Sequence, residues 1–320
     1  MKRARIFESW LAAHFRRFVG LKRAGGASYA TSEKFLLSFD RFLCEHPSGP
    51  PLQRDTVMAY LASLERLSPR GKENVITVVW PALAYAERHG ARIDLLPPRP
   101  ASPSNSLRQR RPRIVSAAEI SRIISAARQL RPTGSPRSAT AATLVGLLFT
   151  TGLRIGEALA LDIGDLDTRY QLLAVRRGKF GKARTLPLRA STVDALARYI
   201  EHPLRRVLVS ASAPIFVSGW RRRLSYPTAV HDLRAACRVA GIAAPQPTPH
   251  DLRHSFAVGR VLAWYDEGRD VDRLLPALST YLGHISVENT RVYLSANGLL
   301  LDRAAARFAR KALALDEVHS

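Results

Sequence analysis

The chain has 320 residues and a mass of 35.4 kDa, with 46% hydrophobic and 23% charged residues. This composition is typical of a globular protein of about two domains, and it excludes wholesale disorder, a collagenous chain and a small disulfide-stapled scaffold. The charge is unbalanced, because 49 Lys and Arg oppose 26 Asp and Glu and give a formal net charge of +23. Such an excess indicates a polyanionic partner, with nucleic acid as the first candidate and an anionic membrane surface as the second.

Three features argue against a membrane or extracellular setting. The most apolar stretch, residues 141–151, is too short to cross a bilayer, and the basic N-terminus lacks the apolar core of a secretory signal. The two cysteines, Cys44 and Cys237, form no CxxC pair, which argues against structural zinc and a disulfide framework. We therefore expect a cytoplasmic protein.

Residues 1–96 are predicted to form a helical domain. Apolar residues recur at helical spacing in residues 35–43 and 57–64, and residues 74–86 form a further apolar helix. Residues 97–113 then hold five prolines, five arginines and no acidic residue. This is the composition of an extended cationic linker, so we place the domain boundary there.

Residues 114–320 are predicted to form a second domain, mainly helical with a small antiparallel β-sheet. Capping-box patterns at Ser116 and Ser191 indicate helix starts. Further helices are expected near residues 141–149, 153–161, 230–240, 249–266, 273–282, 287–294 and 301–315. Strands are expected at residues 170–176, 184–188 and 215–217, the first two forming a hairpin around the turn GKFGKA.

A helix start at Pro249 brings together two side chains suited to an anion. Thr248 is a good N-cap, Pro249 suits the first turn, and Asp251 completes a capping box. His250 and Arg253 then lie three residues apart on one face of a helix N-terminus, where free N–H groups and the helix dipole favour a phosphate. The His-x-x-Arg spacing alone carries little weight, since it also occurs at four other places in the chain.

Four further motifs accompany this helix in a fixed order. TGLRIGEALAL places Arg154 beside a helix start, a GK turn places Lys179 between two strands, YLGHIS ends a helix at His284, and TRVY carries Tyr293. Each motif alone is compatible with an ordinary structural role. Together with TPHDLRHSFA, they resemble the tyrosine recombinase (phage integrase) family over about residues 140–295. The helical domain and basic linker ahead of them are similar to that family's core-binding domain and linker.

The resemblance implies a site-specific DNA recombinase that cuts and rejoins strands through a 3′-phosphotyrosyl intermediate, serving a mobile element or dimer resolution. The implied catalytic residues are Arg154, Lys179, His250, Arg253, His284 and Tyr293. Tyr293 would be the nucleophile, and its phenol needs help because its unperturbed pKa is near 10. The forks of Arg154 and Arg253 would hold the non-bridging phosphate oxygens, and Lys179 would protonate the leaving 5′-oxygen.

Three further residues are given supporting roles. His250 would accept the phenol proton or bind the phosphate, His284 would donate a further hydrogen bond, and Glu157 would orient Arg154. No metal or cofactor is implied, because two guanidiniums supply the charge that Mg²⁺ supplies in other phosphoryl-transfer sites. Tyr281 is the rival nucleophile, although its place in an apolar helix favours packing.

The implied partner is double-stranded DNA, bound as a homo-tetramer on two sites, with accessory or sister recombinases as further partners. The linker arginines would lie along the DNA backbone, giving affinity and salt dependence without sequence choice; the alternative is a solvated charge run. These arginines are Arg99, Arg108, Arg110, Arg111 and Arg113. The alternative functions are a non-catalytic DNA-binding protein of the same fold, a type IB topoisomerase and a basic RNA-binding module.

Overall fold

The structure is a computed structural model, and the residues it describes are 6–26, 29–46, 49–94, 113–176, 183–205 and 210–283. These residues form eleven α-helices and one three-stranded antiparallel sheet, which confirms the predicted mainly helical fold class. The chain divides into two compact units, Met1–Gln109 and Arg110–Ser320. Within the described ranges, no helix is both long and apolar enough to cross a membrane.

Four helices build the N-terminal unit. They are α1 (Ala12–Ala24), α2 (Ala30–Glu45), α3 (Arg54–Ser63) and α4 (Pro69–Arg88). Helix α4 begins at Ser68, whose hydroxyl accepts a hydrogen bond from the N–H of Gly71, and it continues past Pro81. Apolar residues of all four helices enclose one core, in which the rings of Phe15 and Phe39 pack with their centroids 6.2 Å apart.

Seven helices and the sheet build the C-terminal unit. The helices are α5 (Ala117–Ala127), α6 (Arg137–Thr151), α7 (Ile155–Ala160), α8 (Ala190–Ile200), α9 (Tyr226–Val239), α10 (Pro249–Asp266) and α11 (Val271–Leu282). The strands are β1 (Leu166–Asp167), β2 (Leu172–Val175) and β3 (Arg184–Pro187), paired in that order. Helix α6 is apolar on most sides and packs against α5, α8, α9 and α10, so it is the centre of this unit.

The sequence predicted three capping boxes, and the first turns of the corresponding helices show which of them form. The boxes at Ser116 and Thr248 are confirmed, since each hydroxyl accepts a hydrogen bond from the N–H three residues later. The box predicted at Ser191 is wrong, because α8 begins at Ala190 with Arg189 at its N-cap and no side-chain hydrogen bond there. Ser191 therefore already lies inside the first turn.

The sheet is only partly as predicted. The hairpin strands are confirmed with shorter bounds, and β1 adds a third strand that pairs with β2. The strand expected at residues 215–217 is wrong, since Val217 forms an isolated bridge with Arg223, and Pro214 another with Asp162. These apolar residues are buried by their surroundings without belonging to a ladder.

We expect Gly152→Ala to destabilise the protein. Gly152 ends α6 with a φ of 63°, and an added Cβ would lie 2.5 Å from Cδ1 of Phe256. Strain of this kind costs about 1–3 kcal/mol, to which the left-handed backbone adds. Urea unfolding of the full chain measures the change in the free energy of unfolding.

The matched control is Gly146→Ala in the middle of the same helix. Its added Cβ would meet only Cδ1 of Ile124, at 3.8 Å, so it should be neutral or stabilise by up to about 1 kcal/mol. Equal stability of the two variants would contradict the close approach described for Gly152.

Candidate active site

Arg154 links the start of α7 to the end of α11. Its Nη1 donates to Oε1 of Glu157 at 2.9 Å, and its Nη2 donates to the carbonyl of Gly283 at 2.8 Å. Glu157 also accepts the backbone N–H of Arg154 at 3.1 Å, which fixes the first turn of α7. The Arg154 side chain is 30% exposed, so its guanidinium is fastened on one side and open to solvent on the other.

Arg253, the fifth residue of α10, is held beside Arg154 by hydrogen bonds. This residue is 2% exposed, and its Nη1 donates to the carbonyl of Gly152 at 2.7 Å. Its Nη2 donates to the carbonyl of Leu282 at 2.8 Å. Arg154 and Arg253 therefore bind consecutive carbonyls, those of Gly283 and Leu282, and the structure brings these two predicted site residues together.

His250 lies next to this pair as a neutral imidazole. Burial lowers the pKa of His250, and the charges of Arg253 and Arg154 lower it further, against a smaller opposing effect of Asp251. His254, one turn along α10, packs edge-on with 5.7 Å between ring centroids. Burial, with a contribution from His250, lowers the pKa of His254 to about 4. Both rings are thus uncharged near pH 7, and the local positive charge belongs to the arginines.

Glu157 is a buried carboxylate shared by two arginines. It is 5% exposed, and besides Arg154 it accepts hydrogen bonds from Nη1 and Nη2 of Arg184 at 3.1 and 2.8 Å. Burial alone would raise the pKa of Glu157, but the hydrogen bonds and charges of Arg184 and Arg154 lower it below its usual value. The carboxylate therefore stays ionised and holds both guanidiniums.

Arg184 was missed in the sequence analysis. It begins β3, where Leu186 is buried while Thr185 and Pro187 are exposed, so Arg184 shares the inward face with Leu186. An arginine on the inward face of a strand needs a buried partner, and this alternation was the signal available in the sequence. The partner itself, Glu157, lies 27 residues earlier and could not be read from the strand.

Part of what the sequence predicts lies outside the described residues. Those outside the described residues are Lys179, His284, Tyr293, Arg99, Arg108, Arg110 and Arg111, together with the helices expected at 287–294 and 301–315. Lys179 belongs to the segment that joins Val175 to Arg184, and His284 directly follows Gly283. Each segment is therefore joined to a residue of the site. Arg184 shares the carboxylate of Glu157 with Arg154, and the carbonyl of Gly283 accepts a hydrogen bond from Arg154.

Arg113 is the linker arginine that the structure describes. Its Nη2 donates to Glu119 at 2.7 Å, and its Nη1 donates to the carbonyls of Ala243 and Pro245 at 2.9 and 3.0 Å. Its backbone N–H donates to Asp251, which also caps α10. In this structure Arg113 fastens the start of the C-terminal unit, and a DNA contact at this position stays a prediction.

Tyr281, the rival nucleophile, is part of the packing. Its ring stacks on Phe256 with 5.6 Å between centroids, and burial raises the pKa of its phenol. A raised pKa disfavours the phenolate that attack requires. The backbone carbonyl of Tyr281 accepts a hydrogen bond from Nε of Arg184 at 2.8 Å, so this residue contributes its main chain to the site.

The arrangement suits an anion with several oxygens. Guanidinium groups keep their charge at any ordinary pH and present forked donors that match a phosphate diester. The start of α10 adds the positive end of a helix dipole. Among the described residues, no three His, Cys, Asp or Glu side chains are grouped so that they could hold a metal ion.

The similarity to known proteins extends over most of the chain. The phage integrase family matches residues 113–298. A protein named as an integrase/recombinase, y4rE of Sinorhizobium fredii, is 31% identical over 304 residues, covering 94% of this chain and 96% of that protein. Tyrosine recombinase XerD of Mycobacterium tuberculosis is 34% identical over 197 residues, covering 61% of this chain and 59% of that protein.

A solved structure agrees with this similarity at the level of the fold. The Tn1549 transposon integrase, in complex with transposon right end DNA, has a TM-score of 0.63 at 17% identity over 93% of this chain and 99% of that chain. The fold and the similar sequences together define a DNA strand-exchange enzyme. The chain belongs to the phage integrase family and is a site-specific DNA recombinase of the tyrosine type.

We expect Glu157→Gln to destabilise the protein by about 3–5 kcal/mol, because it leaves two arginines without their buried carboxylate. The folded-state pKa of Glu157 is lowered, so its stabilisation is fully present above the unfolded value of about 4.3 and is lost as the pH falls through the folded pKa. Urea unfolding at pH 7 and near pH 3 measures both effects.

Glu119→Gln is the matched control, since Glu119 also caps a helix and pairs with an arginine but is 23% exposed. We expect a loss of about 1 kcal/mol from this control. A Glu157→Gln deficit that stays the same at both pH values would show that the ionised carboxylate is not its source.

Proposed function

We propose that Tyr293 attacks a DNA phosphorus, forms a 3′-phosphotyrosyl bond and releases a 5′-hydroxyl, and that the reverse reaction with another strand completes recombination. The adjacent guanidiniums of Arg154 and Arg253 carry this proposal, because two fixed positive groups side by side suit the charge that develops on non-bridging oxygens. Gly283 is ten residues before Tyr293, and ten residues span up to about 35 Å, so the phenol has ample reach.

Proton transfer is divided between two groups. The lowered pKa of His250 keeps its imidazole neutral near pH 7, which supports a role as acceptor of the phenol proton or as a phosphate ligand. Lys179 would give its proton to the leaving 5′-oxygen, and His284 would donate a hydrogen bond to the phosphate. Each proton is returned when the strand is rejoined, so the site ends unchanged.

The domain roles belong to the same proposal. Residues 1–96 would be the core-binding domain, 97–113 the basic linker and 114–320 the catalytic domain. The partner would be duplex DNA, bound as a homo-tetramer on two sites, with integration, excision, transposition or dimer resolution as the outcome. The net charge of +23 supports a polyanionic partner for the whole chain.

Tyr293→Phe should abolish the covalent adduct with a nicked suicide duplex, because phenylalanine has no oxygen to attack phosphorus. The wild-type chain should accumulate a protein–DNA adduct on a denaturing gel. Tyr281→Phe is the matched control and should form adduct like the wild type, since the Tyr281 ring packs on Phe256.

The outcomes also separate the alternatives. A Tyr293→Phe chain that still forms adduct would disprove this nucleophile. A wild-type chain that binds DNA without any adduct would favour the non-catalytic DNA-binding protein, and one that binds only RNA would favour the RNA-binding module. Relaxation of supercoiled DNA without strand exchange would favour the type IB topoisomerase.

Lys179→Ala should slow cleavage of ordinary DNA by about 10²–10⁴-fold, which is the usual contribution of a general acid. A substrate with a 5′-bridging sulfur should restore most of the rate, because a thiolate leaves without protonation. Single-turnover adduct formation with the two substrates measures the rescue. An equal loss with both substrates would remove Lys179 from the acid role.

A further inference from the structure

We propose that Arg184 is a positioning residue of the strand-exchange site, which keeps the charge of Arg154 available to the phosphate by sharing the carboxylate of Glu157. This inference rests on the function proposed above. It assigns a role to a residue outside the predicted catalytic set. It also links β3, the strand that follows the Lys179 segment, to the pair Arg154 and Arg253.

The donors of Arg184 are directed into the protein. Nη1 and Nη2 bind the two oxygens of Glu157, and Nε binds the carbonyl of Tyr281. The side chain is 13% exposed, compared with 30% for Arg154. Arg184 is thus placed to hold other groups, whereas Arg154 is placed to meet a ligand.

The end of α11 organises the arginines in a row. Three consecutive carbonyls accept one guanidinium each: Tyr281 from Arg184, Leu282 from Arg253 and Gly283 from Arg154. The last carbonyls of a helix lack partners within the helix and form the negative end of its dipole, so they favour cations. The row therefore uses groups that any helix end supplies.

Gly283 allows two of these arginines to approach closely. It ends α11 with a φ of 69°, and an added Cβ would lie 2.8 Å from Nη1 of Arg184 and 3.4 Å from Nη1 of Arg154. Both guanidiniums therefore lie over the same backbone position. A change in the place of Arg184 would be felt directly by Arg154.

The charge balance gives Arg184 its role. Arg154, Glu157 and Arg184 together carry one net positive charge, whereas Arg154 and Glu157 alone would carry none. Without Arg184, the freed carboxylate oxygens would also attract the remaining N–H donors of Arg154 and turn its guanidinium away from solvent. Loss of Arg184 should therefore weaken stabilisation of the reacting phosphate more than it weakens DNA binding.

The test compares single-turnover cleavage of the nicked suicide duplex with DNA affinity for the full-length chain. Arg184→Met should slow adduct formation by about 10²-fold, the effect of displacing a catalytic group by about 1 Å, while Kd changes by less than about threefold. Arg184→Lys restores the charge without the fork and should recover part of the rate. Should Arg184→Met not fold, Arg184→Lys alone should still cleave about tenfold more slowly than the wild type at unchanged affinity.

Arg137→Met is the matched control, because Arg137 pairs with Asp232, another carboxylate that is only 4% exposed. It begins α6, whereas the site lies at the other end of this 15-residue helix, about 22 Å away. Its loss should affect thermal stability but leave the cleavage rate near that of the wild type. A similar rate loss in Arg137→Met would show that general destabilisation, and not positioning, explains Arg184→Met.

A double-mutant cycle with Arg154→Ala distinguishes positioning from a separate contribution. If Arg184 acts through Arg154, adding Arg184→Met to Arg154→Ala should slow cleavage by no more than about twofold further. Additive losses, or an Arg184→Met chain that cleaves within twofold of the wild type, would overturn the proposal, as would a loss confined to Kd. A wild-type chain without adduct would overturn the proposed function as well, so the two failures are distinguishable.

Discussion

The site depends on one buried carboxylate. Glu157 is removed from water and is ionised, a state that persists in a protein only when charged hydrogen-bond donors surround it. Arg154 and Arg184 provide those donors from the start of α7 and the start of β3. Because both guanidiniums bind the same carboxylate, the three side chains hold the two segments together as a unit.

The end of α11 completes this unit from a distant part of the sequence. Its final carbonyls are bound by Arg184, Arg253 and Arg154, whose separations from them along the chain range from 29 to 129 residues. The end of helix α6 also holds the site, because the carbonyl of its C-cap residue, Gly152, accepts a hydrogen bond from Arg253. Groups that local secondary structure leaves unpaired thus become the attachment points of the site.

Local signals predicted much of this architecture, and contacts between distant segments account for what they missed. The caps at Ser116 and Thr248 each depend on two residues that are three positions apart, so they were readable from the sequence. The start of α8 was predicted wrongly, because the pattern at Ser191 predicts an N-cap there, whereas the N-cap in the structure is Arg189. The strand at residues 215–217 was predicted because buried apolar runs resemble strands, whereas pairing depends on what lies alongside.

The candidate site was likewise predicted in part from the sequence, and the rest depends on contacts between distant segments. Motif order singled out Arg154, Arg253 and His250, and the structure brings these three together. Arg184 was missed because its importance comes from Glu157 and Tyr281, to which only the folded chain connects it. Residues outside the described ranges, Tyr293 among them, stay predictions from sequence.

The electrostatics separate fixed charge from proton transfer. The positive charge of the candidate site comes from guanidiniums, while desolvation and nearby positive charges lower the pKa values of His250 and His254 and favour their neutral rings. A protonated His250 could not accept a proton from a phenol. Desolvation and the neighbouring arginines therefore leave a neutral imidazole beside two guanidiniums, and this combination suits attack by a phenol on a phosphate diester.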